Sequence, residues 1–178
     1  METNFGQTGL PGMRQRPVFL TFTGVITNID MAGGMGRYDG CSQMITVEDE
    51  AGNVVNFYAD ADTCVVDYVT LYESLPVTVF YSGNAAAPLI YPPQYVAAVI
   101  APQQEGQMVY VGYFNNVLMS SDQSLKLNLA PSTTVVTKNN QTFYGNPGGR
   151  TLVVLYSQAT RSIPAQTTPD KIIVLCGQ

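Results

Sequence analysis

The stretch Pro88–Ile100, PLIYPPQYVAAVI, decides how this chain is read. It is a proline-broken lead-in followed by a short, wholly apolar run. A degenerate copy returns as PAQTTPDKIIVLC over Pro164–Cys176, with Pro88 on Pro164, Pro93 on Pro169 and Val96 on Ile172, a constant shift of 76. Upstream, PVTVFYS (Pro76–Ser82) reappears as TLVVLYS (Thr151–Ser157), and FTGVITN (Phe22–Asn28) as YVGYFNN (Tyr110–Asn116), with Gly24 on Gly112. Self-similarity in the same order at three places marks a duplication. The 178 residues therefore divide into two small units rather than one medium domain.

Working outward, the composition limits the chemistry. Apolar residues make up 46%, as in an ordinary globular protein, whereas charged residues make up only 12%, about half the usual share. A surface built from Asn, Gln, Ser, Thr and Tyr carries little repulsive charge, so it is poorly protected against self-association. The net charge of −5 is unevenly spread, with residues 1–105 acidic and residues 106–178 basic. Opposite signs on the two halves suit a head-to-tail contact between copies; drift after duplication is the plainer account. Neither half has the Lys/Arg cluster of a nucleic-acid binder. The chain has no histidine, the commonest general base and metal ligand. No run approaches the roughly 20 apolar residues of a membrane span. The start, METNFGQTGLPGMRQRP, has no basic segment followed by an apolar one and does not read as a Sec signal.

Residues 1–17 have little apolar periodicity and read as an extended arm. From Val18 the pattern is strand after strand. VFLTFTGVITNID alternates β-branched and aromatic residues about Gly24, a mid-strand glycine that indicates a bulge or a sharp bend. Met31–Gly40 is a glycine-rich loop, and QMITVEDEAGNVVNFYA is a hairpin turning near Glu50–Asn53. TCVVDYVTLYESL crosses over, through one helical turn at most, to VTVFYS and then to the closing strand QYVAAVIAP. After the polar linker Gln103–Gln107, the second unit runs VYVGYFNNVLM, SLKLNLAP, TTVVTKN, RTLVVLYSQ and KIIVLC, with much of the second hairpin missing. Helix content should be low. The expected boundaries are an arm at 1–17 and β-barrels at 18–102 and 108–177.

A glycine-bearing first strand, a hairpin, a crossover and two strands around a Pro-rich loop follow the order of a five-stranded OB-like barrel. SIPAQTTPDKIIVL and PLIYPPQYVAAVI, each preceded by a tyrosine-bearing strand (VLYS, VFYS), resemble the closing strand of OB-like domains of Gram-positive envelope and exported proteins of unknown function. The resemblance spans nearly all of residues 18–177. It implies an all-β fold of two tandem OB-like five-stranded barrels, and no particular activity.

Each candidate site has a plainer counterpart. Glu48, Asp49, Glu50, Asp60, Asp62 and Asp67 supply oxygen ligands of the kind calcium takes, but without a D-x-D-x-D-G loop they read as a solvated hairpin and loop. Cys41, near Arg37 in a glycine-rich loop, is the cysteine expected to react or crosslink. Cys176 is placed on Ile100 and is expected in the core, whereas Cys64, on Thr134, starts a strand and fits either setting. The three show no zinc spacing. Tyr91 and Tyr95 flank PPQ and could stack on a sugar, although half-buried strand residues are the simpler reading. AGGMG lacks the Lys/Ser pair of a phosphate loop.

The sequence thus favours a structural protein with no catalytic residues, metal or cofactor. It would self-assemble into a filament or coat, with itself as partner, with no nucleic acid and no membrane insertion. By analogy, a spore coat or appendage component released on mother-cell lysis is the expected setting. The alternative is a monomeric OB-like module for a carbohydrate or small ligand, and an enzyme is a more distant third. The arm is expected to dock on an adjacent subunit through Phe5, Leu10 and Met13, with Arg14 and Arg16 near acidic residues of the first unit. Ordering it costs roughly 1–2 kcal/mol per residue in backbone entropy, which must be recovered by contacts elsewhere.

Overall fold

A computed structural model describes residues 16–32, 40–85 and 89–177. The protein is all-β, and among the described residues the one helical element is a 3-10 turn at Val66–Tyr68. The first half carries β1 (Phe19–Ala32), β2 (Ser42–Glu48), β3 (Val54–Ala59), β4 (Cys64–Val65), β5 (Pro76–Ser82) and β6 (Gln94–Pro102). The second carries β7 (Met108–Phe114), β8 (Leu125–Leu127), β9 (Thr134–Thr137), β10 (Arg150–Tyr156), β11 (Ala165–Thr167) and β12 (Lys171–Leu175).

In the first half, the antiparallel pairs β3–β2, β2–β1, β1–β5 and β5–β6 are joined into a ring by a parallel pairing of β3 with β6. The hairpin that links β2 to β3 follows from local chemistry. Asp49 Oδ1 accepts hydrogen bonds from the amides of Ala51 and Asn53, and Gly52 takes the left-handed conformation (φ +83°) that a side chain would resist. The bulge of β1 falls between Ile26 and Asn28, just beyond Gly24. Gly24 is needed for another reason: a Cβ there would lie 2.3 Å from the Glu48 carbonyl oxygen, where β2 crosses close.

The second half repeats these pairings residue by residue. Gly24 faces Val77 and Gly112 faces Leu152; Val79 faces Ile100 and Val154 faces Ile172. Cys64 faces Val99 as Thr134 faces Lys171, and Asn56 faces Gln94 as Lys126 faces Gln166. Even a side-chain bond recurs: Thr63 Oγ1 donates to the Ala97 carbonyl at 2.8 Å, and Thr133 Oγ1 to the Pro169 carbonyl at 2.7 Å. The counterpart of β2 is reduced to Met119 and Ser120, which bridge Lys126 and Phe114 as Thr46 and Val47 pair with Asn56 and Ile26. The nine-residue β6 is matched by two short strands, β11 and β12, with Thr168–Asp170 between them.

These pairings correct the register expected for the closing strands. Ile100 corresponds to Ile172, 72 residues on rather than 76. At the same spacing Gln94 matches Gln166, and Pro92 matches Pro164, each proline following a cis peptide bond. Hydrogen-bonded partners, and not string similarity, fix register, and the spacing of 72 holds on both sides of Thr168–Asp170.

Three apolar clusters hold the molecule together. Ile26, Ile45, Val47, Phe57, Val77, Val79 and Ile100 fill the first ring; Phe114, Leu127, Leu152, Val154, Ile172 and Val174 lie inside the second unit. Between them a third cluster joins Phe80, Val99 and Ala101 to Val153, Leu155, Ile173 and Leu175. Strands β5, β6, β10 and β12 are thus apolar on both faces, one toward their own unit and one toward the other. That is why they read as unbroken runs, VVLY and IIVL, rather than as alternating patterns. Corresponding residues meet at this junction: Phe80 and Leu155, Ala101 and Ile173, Val66 and Val136. The units are back to back.

Candidate functional site

The junction leaves clefts at its margins. One, about 740 Å³, is lined by Ala61, Thr63, Cys64, Tyr68, Lys138 and Cys176. Tyr68 Oη donates to the Lys138 carbonyl at 2.8 Å, and the Lys138 ammonium donates to the Asp62 carbonyl, so polar bonds tie the two units across this cleft. Burial pushes the Cys64 thiol above its ordinary pKa, against the opposing pull of Lys138 and Lys171, so it stays a neutral core thiol. Cys176 is exposed, contrary to the core position expected for it. With the closing strands in their true register, it falls one residue past the end of β12 rather than on Ile100. Cys41 is exposed, as its glycine-rich setting indicated.

A second cleft, about 350 Å³, separates the first strands of the two units and is lined by Pro17, Val18, Phe19, Thr21, Val109–Tyr113 and Asp122. The Arg16 guanidinium sits 4.9 Å from the centre of the Tyr113 ring. In this chain Arg16 therefore lies on the second unit, whereas acidic residues of the first were expected around it. Phe5, Leu10, Met13 and Arg14 lie outside the described residues. At the cleft wall, Asp122 Oδ1 accepts from Ser120 Oγ and Ser124 Oγ, both at 2.7 Å, and from the Ser124 amide. Burial works against its charge, but these donors outweigh it and hold the carboxyl below its ordinary pKa. Burial raises the neighbouring Tyr110 hydroxyl.

The tyrosines flanking PPQ go to different places. Tyr95 is half-buried, its ring 4.4 Å from Tyr81 and 6.3 Å from Phe57, where it packs against the first core. Tyr91 is 82% exposed on the loop ahead of β6. Its counterpart ahead of β11 is Ile163, 97% exposed. The acidic residues are also dispersed. Asp49 caps the β2–β3 hairpin, Asp60 accepts from the Asp62 amide in the turn before β4, and Asp67 accepts from Gln104 Nε2. Among the described residues no group of three Cys, Asp or Glu side chains could hold a metal ion, and no helix is long and apolar enough to cross a membrane. Sequence reasoning missed the junction and its clefts, although the unbroken apolar runs of β6, β10 and β12 were the available signal. Comparison with known protein families, curated proteins and solved structures finds no match for this chain.

Proposed function

We propose that this chain is a structural protein of two tandem OB-like barrels, without a catalytic step, that self-assembles into a filament or coat. The parallel closure of β3 on β6 in the first ring supports the OB-like reading, and the second unit repeats the pairings with a degraded second strand. The observation that carries the assembly reading is the pair of equivalent loops ahead of the closing strands. Leu89, Tyr91 and Ile163 stand exposed there, on a surface of which charged residues are only 12% of the chain. Large apolar side chains held out to solvent favour contact with another copy. The acidic first half and basic second half favour a head-to-tail contact, which gives a filament where it does not close. Negative-stain microscopy and sedimentation of the full chain should show long polymers. Monomers at every concentration would refute this reading. The alternative, a monomeric module for a carbohydrate or small ligand, is favoured by the 740 Å³ cleft between the units, and calorimetry against a panel of sugars would test it.

A further inference from the structure

Among the described residues, the first strands of both units keep one edge open. Along β1, the Val18 carbonyl accepts from Gly83 and the Ile26 amide donates to Leu75, so even-numbered residues turn their backbone groups toward β5. The amides and carbonyls of Phe19, Thr21 and Thr23 therefore point the other way, and β2 joins that edge only from Val25 onward. Strand β7 repeats this. The Phe114 carbonyl accepts from Gly149 on the β10 side, and the Tyr113 carbonyl accepts from Ser121 on the opposite side. Val109 and Val111 thus direct their backbone groups away from β10, and no described residue pairs with them. The two open edges line the same cleft, Phe19 and Thr21 from one unit and Val109–Tyr113 from the other. No strand pairing joins β1 to β7. Val111 is moreover buried, and Val109 half-buried.

We infer that this cleft is a slot for an extended strand, and that its occupant is Phe5–Leu10 (FGQTGL) from the arm of a second copy. The inference rests on the assembly reading above and names the surface that receives the arm. A strand in the slot bonds Phe19 and Thr21 with one set of alternate residues and Val109 and Val111 with the other, so about five residues satisfy both edges. Phe5–Leu10 has that length and lies before Pro11, which has no amide to donate. The arm of the same chain is less well placed. Its last residues, Arg16–Val18, leave the end of β1 without a turn, and the Gly83–Val18 bond continues the β5 ladder along that departing line. To fill its own slot the arm would have to reverse before Arg16, whereas a neighbour's arm enters directly.

The test uses amide hydrogen exchange and sedimentation on the full chain, on a form lacking residues 1–15, and on that form with a synthetic peptide of residues 1–16. In the shortened form, the amides of Phe19, Thr21, Val109 and Val111 should exchange freely. They should slow by at least about tenfold when the peptide is added, and in the full chain only as concentration rises, because an amide bonded in the slot exchanges only when that bond opens. Thr21→Pro removes an amide that points into the slot, on an exposed residue whose neighbours keep the β5 ladder. Folded Thr21→Pro, shown by an unchanged circular dichroism spectrum, should bind the peptide at least about tenfold more weakly and assemble poorly. Gln7→Pro in the arm, which touches no described strand, should have the same effect on assembly even if Thr21→Pro fails to fold. Slot amides that stay unprotected in assembled protein, or Gln7→Pro polymers indistinguishable from those of the parent, would overturn the slot while leaving assembly intact. Protection independent of concentration would assign the slot to the chain's own arm and overturn the second-copy occupant. A full chain that never assembles would refute the underlying reading instead.

Discussion

Gly24 and Gly112 occupy the same position in the two units, yet the structure makes only the first indispensable. A methyl group on Gly24 would stand 2.3 Å from the Glu48 carbonyl oxygen and 2.7 Å from its carbon. These are backbone atoms at the end of β2, and that strand cannot retreat without opening its ladder with both β1 and β3. On Gly112 the nearest atom, at 2.9 Å, is Cε1 of the Tyr110 ring, which can pivot, because the second unit has no full β2 crossing there. Overpacking costs typically 1–3 kcal/mol, and more where backbone must move. Gly24→Ala should therefore destabilise the protein by about 3 kcal/mol or more, and Gly112→Ala by about 1 kcal/mol or less. Urea denaturation of each variant, followed by far-ultraviolet circular dichroism and tyrosine fluorescence, measures the difference. Equal losses at both sites would show that the glycines are kept for a shared bend and would refute the close-approach argument.

Other outcomes follow from the same geometry. Phe80→Ala removes a ring from the junction rather than from either unit's own core, so it should cost about 3–5 kcal/mol and separate unfolding into two calorimetric transitions. A thiol reagent on the native protein should modify Cys41 and Cys176 within the same period and reach Cys64 only on unfolding, with rapid labelling of Cys64 as the contrary result. Asp49 is held below its ordinary pKa by the Asn53 side chain and by backbone amides, and Asp122 is held low by its serines. Each adds stability above the unfolded carboxyl value of about 3.9 and loses it as pH falls through the lower folded value. Acid titration of stability should steepen below about pH 4, and Asp49→Asn should flatten that limb.

The sequence by itself determined that the chain is all-β, where most strands lie, and that the β2–β3 hairpin turns near Glu50–Asn53. These are local properties: β-branched runs favour extended backbone, and Asp, Gly and Asn in that order suit a tight turn. The match of Phe22–Asn28 to Tyr110–Asn116, and of Pro76–Ser82 to Thr151–Ser157, was also legible, because no break interrupts those strands. Register in the closing strands was not. It depends on partners far along the chain, and the true spacing of 72 places Cys176 past the end of β12, out of the core where the string comparison had put it. Tertiary structure alone decided that β5, β6, β10 and β12 bury both faces, since an apolar run does not say what covers each side. It also decided which edges stay open. Backbone amides are the same in every residue, and only the path of neighbouring strands leaves those of Val109 and Val111 without a described partner.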